Sequence, residues 1–181
     1  RVEQTPADQF NHCVGAWKKP DGTWHLLDPT WIPFSRYDWS RMEGEQHYVI
    51  GTPEGEELMA IRAYGPDENA ATFTVRGEID REGTLVGEVR LAADGAADTR
   101  LRRAVGQTPR DQVPADLRDW LGHLAPGAEL VKWRAGDPVD WDEAMWLEGE
   151  FRVERYATVG ERTAVWHPVA PTLAFADYGG T

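Results

Sequence analysis

The sequence predicts a mainly β fold of the α+β kind, built as an N-terminal β-hairpin followed by an antiparallel β-sandwich with an inserted helical segment. Three observations carry that expectation. Short runs alternating apolar and polar residues recur along the chain, separated by Gly, Pro, Asp and Asn. One stretch, 96–124, changes to helical spacing. A hydrophobic content of 41%, with nine Trp in 181 residues, supplies a real core.

The elements follow in order. Residues 1–7 form a polar lead-in. Residues 9–17 and 23–28 read as two strands joined by Lys19-Pro20-Asp21-Gly22, where Pro presets φ, Asp bonds its own backbone and Gly accepts a positive φ. Residues 29–40 hold two prolines and the aromatics Trp31, Phe34, Tyr37 and Trp39 without a clean period. They form an ordered loop that either covers a sheet or domain junction or rims a cleft. Tyr48–Ile50 and Leu58–Ile61 are short strands around a Gly/Pro/Glu turn, and 64–69 is a loop. The clearest pair is 71–80 with 85–91, where Phe73, Val75 and Ile79 face Leu85, Val89 and Leu91 about a turn at 81–84.

Helical spacing spans 96–105, with Gly106 as the terminating C′ residue. A second helix occupies about 110–124, beginning after the Thr108-Pro109 cap or at Pro114, with Val113, Leu117, Trp120, Leu121 and Leu124 on one stripe. Glu129–Trp133 and the long alternating run 144–156 return to β structure. The latter places Trp146, Glu148 and Glu150 on one face, and Met145, Leu147, Phe151 and Val153 on the other. Thr163–Pro168 and Leu173–Phe175 are expected to close the sheet.

Composition excludes several functions. A net charge of −12 repels nucleic acid and anionic membrane. No run approaches the roughly eighteen apolar residues of a membrane span, and no N-terminal signal pattern is present. One cysteine precludes an intrachain disulfide. There is no glycine-rich phosphate loop. His47, His123 and His167 lack ligand spacing, so neither a cofactor nor a metal is expected. Asp137-Pro-Val-Asp-Trp-Asp-Glu143 is acidic but lacks the glycine and spacing of a calcium loop, and reads as solvated. Arg100, Arg102 and Arg103 read as a salt-bridged helix surface, and His25 as exposed on the outer face of the hairpin.

The candidate site lies in the first hairpin. Folded about position 20, residues whose numbers sum to about 40 lie opposite, so His12 faces Asp28. Opposed side chains have Cβ atoms roughly 4.5–5.5 Å apart, within reach of an imidazole–carboxylate bond. A two-residue loop, or a bulge at Gly22, shifts that register by one. A histidine oriented by an aspartate is the base-plus-orienter half of a nucleophilic triad. The same pair also reads as a satisfied cross-strand contact in a sheet.

Phe10-Asn11-His12, Asp21-Gly22-Thr23-Trp24 and Leu27-Asp28-Pro29-Thr30 resemble the His and Asp strands of the transglutaminase-like, papain-related domain. The resemblance covers residues 8–30. The remainder resembles, by pattern and spacing, the β-rich region of unknown function that follows this core in large bacterial proteins. The resemblance implies residues 1–40 as the last strands of a catalytic core and 41–181 as a β-sandwich-like domain, with helices near 96–105 and 110–124. It implies a Cys-His-Asp cysteine protease, amidase or acyltransferase in which His12 carries the proton and Asp28 sets its tautomer. A peptide or protein is the implied substrate, and a periplasmic or extracellular location the implied setting.

The single cysteine departs from that pattern. Cys13 adjoins His12, and consecutive strand residues face oppositely, so it is expected to point away as a small buried strand residue. The chain begins with Arg1. The nucleophile is therefore expected upstream in a longer polypeptide, or on a partner chain, with this chain inactive alone. The alternative is a non-catalytic binding or scaffold module in a larger bacterial assembly.

Overall fold

A computed structural model describes residues 10–31, 33–36 and 39–169. The expectations for the lead-in 1–7, for Tyr37 and for a strand at Leu173–Phe175 fall outside the described residues.

Among the described residues the fold is mainly β with two α-helices. The strands are β1 (Gly15–Lys18), β2 (Trp24–Leu27), β3 (His47–Tyr48), β4 (Met59–Ala60), β5 (Ala71–Ile79), β6 (Leu85–Ala93), β7 (Glu129–Ala135), β8 (Trp146–Val153), β9 (Thr158–Val159) and β10 (Ala164–Val165). The helices α1 (Gly95–Gln107) and α2 (Val113–Leu124) lie between β6 and β7. Four strands form one antiparallel sheet in the order β5-β6-β8-β7. The pairs β1–β2, β3–β4 and β9–β10 are separate two-stranded ribbons.

The two hairpin turns share one solution. In the first, the Gly22 amide donates to the Lys19 carbonyl and the Lys19 amide to that of Thr23. In the second, the Gly83 amide donates to the Asp80 carbonyl and the Asp80 amide to that of Thr84. Each is a three-residue loop ending in a glycine at positive φ, +86° at Gly22 and +81° at Gly83. Asp21 and Asp80 lock these turns, their Oδ1 atoms accepting from the amides of Thr23 and of Glu82 and Thr84.

Alternation along β6 and β8 splits the main sheet into unlike faces. Leu85, Val89, Phe151 and Val153 pack against Leu117, Leu121 and Leu124 of α2. Each such fully buried side chain contributes about 1.5–3 kcal/mol. The other face is charged. Arg134 bonds Glu148 at 2.7 Å and lies 3.8 Å from Glu88, Lys132 lies 3.7 Å from Glu150, and Arg90 also pairs with Glu148. This corrects the sandwich expectation: among the described residues a helix, not a second sheet, covers the apolar face, and the charged face stays toward water. Nor does 163–168 close the sheet, because among the described residues β10 pairs with β9 alone.

Helix α1 begins at Asp94, which has extended geometry and accepts from the Gly95 amide, while Asn69 Oδ1 accepts from the Ala96 amide at 2.8 Å. It runs through Gly106 and ends at Thr108. Gly106 is thus inside the helix, not a C′ residue, since it lacks the positive φ of such a terminator, and the Phe34 ring occupies the space that a side chain there would need. Helix α2 starts at Val113, with Pro114 in its first turn.

Arg102 is a further correction. It is fully buried, as is Asp98 one turn earlier, and the two pair at 2.7 Å. Its guanidinium also donates to the carbonyls of Asp140 at 2.5 Å, Pro138 at 3.2 Å and Glu143. Asp98 Oδ1 accepts from the Met145 amide at 2.5 Å. The acidic segment 137–143 therefore wraps a guanidinium through its main chain. Asp137 and Asp140 meanwhile bond the amides of Val139 and Asp142.

A second core lies beneath the first hairpin. Leu26, Trp39, Ile50 and Ile61 are buried together, with Val14, Trp24, Tyr48 and Met59 against them. This cluster draws side chains from both sides of position 40. The aromatic linker ties it to α1. Arg103 lies over the Trp31 ring at 4.1 Å, and the Trp141 indole donates to the Pro33 carbonyl at 2.7 Å.

Candidate functional site

The site begins with the hairpin register. Gly15 pairs with Leu27 and Lys18 with Trp24, so opposed residues sum to 42 rather than 40. The glycine-terminated loop adds two to the sum, which preserves which face each residue occupies. Residues 10–14 lie before β1 and outside any ladder. His12 therefore reaches Asp28 diagonally, and a long side chain spans such a diagonal. Its Nε2 lies 2.9 Å from Asp28 Oδ2. The expected contact is present, while its expected directly opposed geometry is not.

Asp28 is held on its other side as well. Its Oδ1 accepts from the Thr30 amide at 2.9 Å and from the Thr30 hydroxyl at 2.8 Å. Pro29–Trp31 is a short 3₁₀ turn whose Trp31 amide returns to the Asp28 carbonyl at 3.1 Å. Asp-Pro-Thr is thus an N-cap, a proline at the first helical position and a clamped second residue. That signal was present in the sequence, although Thr30 was not singled out from it.

Burial separates the two members. The Asp28 side chain is 2% exposed and that of His12 48%. Burial is the largest single influence on the Asp28 carboxyl and pushes it up. The Thr30 amide, the His12 hydrogen bond and the Thr30 hydroxyl together outweigh it, holding the group below the usual carboxylate range. With Nε2 engaged, Nδ1 is the ring nitrogen that meets no partner among the described residues.

His12 stands on the wall of a cleft of about 770 Å³, together with Phe10, Cys13, Trp24, Trp39 and Ile50. The Trp39 ring lies 6.2 Å from the imidazole. Cys13 is exposed rather than a buried strand residue, because alternation does not govern a segment outside the ladder. Among the described residues no hydrogen bond joins Cys13 to His12. The outer face of the hairpin carries Trp17 and a half-buried His25, in edge contact at 6.3 Å.

Among the described residues, no group of three or more His, Cys, Asp or Glu side chains is placed to hold a metal ion, and no helix is long and apolar enough to cross a membrane. Comparisons with family models, with curated proteins and with solved structures gave no match.

Proposed function

We propose that this chain supplies the His and Asp of a Cys-His-Asp acyl-transfer apparatus of the transglutaminase-like kind, acting on a peptide or protein amide. The nucleophilic Cys lies outside this chain, upstream or on a partner. The observation that carries the reading is the two-sided grip on Asp28, which accepts the His12 ring through one oxygen while Thr30 fixes the other. In such an arrangement the thiolate attacks the amide carbonyl and forms a C–S bond. The proton held by His12 passes from its free nitrogen to the departing amine as the C–N bond breaks, and Asp28 stabilises the imidazolium. Water or a second amine then takes the acyl group.

A second reading rests on Asp28 as an N-cap. A capping aspartate that also ties down a neighbouring histidine suits a non-catalytic binding or scaffold module. Alkylation separates the two. In the longer polypeptide, the acyl-transfer reading expects a thiol that reacts with iodoacetamide well below pH 8 and loses that reactivity in His12→Ala. No such thiol, or one indifferent to His12→Ala, leaves the scaffold reading.

A further inference from the structure

Two residues in the wall of the cleft beside His12 carry buried polar atoms that find no partner among the described residues. Trp39 is only 9% exposed, and its indole N–H meets no acceptor among the described residues. An indole nitrogen can only donate, and a buried donor without an acceptor carries the full penalty of its lost hydration. The Thr52 hydroxyl is likewise enclosed without a partner among the described residues. Both side chains line the same cleft, whose remaining wall includes Val14, Trp24, Leu26 and Ile61. Its volume lies within the roughly 300–1,000 Å³ typical of small-ligand sites.

The wall chemistry restricts the occupant. Trp39 asks for an acceptor, and Thr52 pairs with either a donor or an acceptor. The apolar surface asks for an aliphatic or aromatic group. Glu43 also lines the cleft and the chain carries a net charge of −12, so an anion is disfavoured. A neutral carbonyl with an adjacent N–H and an apolar substituent meets every condition. We propose that the cleft binds the uncharged amide of an apolar amino-acid residue within a peptide. This rests on reading His12 and Asp28 as the proton-handling part of an acyl-transfer site, and names the kind of residue whose amide that site receives.

The test uses the 181-residue chain labelled with ¹⁵N at its indoles, titrated with N-acetyl-leucinamide and separately with N-acetylleucine. The Trp39 signal is assigned by its loss in Trp39→Phe. The expected result is a saturable shift of that signal with the amide and about tenfold weaker binding of the carboxylate. Thr52→Val weakens the amide about fivefold, as does Trp39→Phe measured on other cleft signals. A Trp39 signal that does not move, or that responds equally to both compounds, overturns the inference. Alkylation of the upstream thiol is a separate measurement. A silent cleft beside a His12-dependent thiol therefore defeats the substrate assignment alone, whereas a responsive cleft without such a thiol defeats the acyl-transfer reading on which it rests.

Discussion

Asp28 and Thr30 are joined twice through one carboxylate oxygen, by the amide at 2.9 Å and the hydroxyl at 2.8 Å, and this leaves the second oxygen aimed at His12. The cap of a single 3₁₀ turn thereby sets the position of a buried charge. Thr30→Val keeps the amide bond and removes the hydroxyl bond. The expected cost is about 1 kcal/mol of stability, together with a weaker hold on the imidazole. Denaturant unfolding measures the first, and the chemical shifts of the His12 ring the second. Unchanged ring shifts in a destabilised Thr30→Val would show that the hydroxyl serves only the turn.

Asp28 also makes stability depend on pH. Its folded carboxyl is held below the ordinary value, so at low pH the unfolded chain binds the proton first. The contribution is present in full above the unfolded value near pH 4 and is lost as pH falls through the lower folded value. Asp28→Ala should cost about 2 kcal/mol at pH 7, with the gap to the unaltered chain closing as pH falls below about 4. Urea midpoints measured between pH 7 and 2 check this. A gap that widens toward acid would reverse the assigned direction.

The ion pair of Asp98 with Arg102 is fully shielded from water, and its members gather the Met145 amide and the carbonyls of 137–143. Removing one partner leaves an uncompensated buried charge. Arg102→Met is expected to cost about 3–5 kcal/mol and to release the 137–143 loop, while Asp98→Leu in the same chain recovers part of the loss. Unfolding free energies report the cost, and protease cleavage within 137–143 reports the release. A neutral Arg102→Met would mean the loop holds itself.

Leu121 belongs to α2 and is 1% exposed against the face formed by Val89 and Phe151. Leu121→Ala should cost about 2–5 kcal/mol, whereas Val86→Ala on the water-facing side of β6 should stay within about 0.5 kcal/mol. Thermal or denaturant unfolding of the two variants compares the faces directly. Equal losses would contradict a sheet with one covered side.

Much of the architecture was legible from short-range chemistry. Period-two alternation located the β5–β6 hairpin nearly to the residue, and the Val113-to-Leu124 stripe located α2. Turn residues located both hairpin loops. The contact of His12 with Asp28 was legible too, though its register was off by two because Gly22 closes a three-residue loop. Thr30 was readable from Asp-Pro-Thr, and Trp39 was legible as one of the aromatics that could rim a cleft, but the unpaired indole of Trp39 and hydroxyl of Thr52 were not. Their unpartnered state depends on what surrounds them.

The sequence by itself determined where strands, turns and helices form, because those preferences act between residues a few positions apart. Only the tertiary structure decided which layer covers the sheet, why Arg102 is buried, and how the aromatic linker seats on α1. Arg102 differs from its neighbours Arg100 and Arg103 in no property of its own. What buries it is the main chain of 137–143, some forty residues away, whose carbonyls can replace water around a guanidinium only once the chain has folded back upon it.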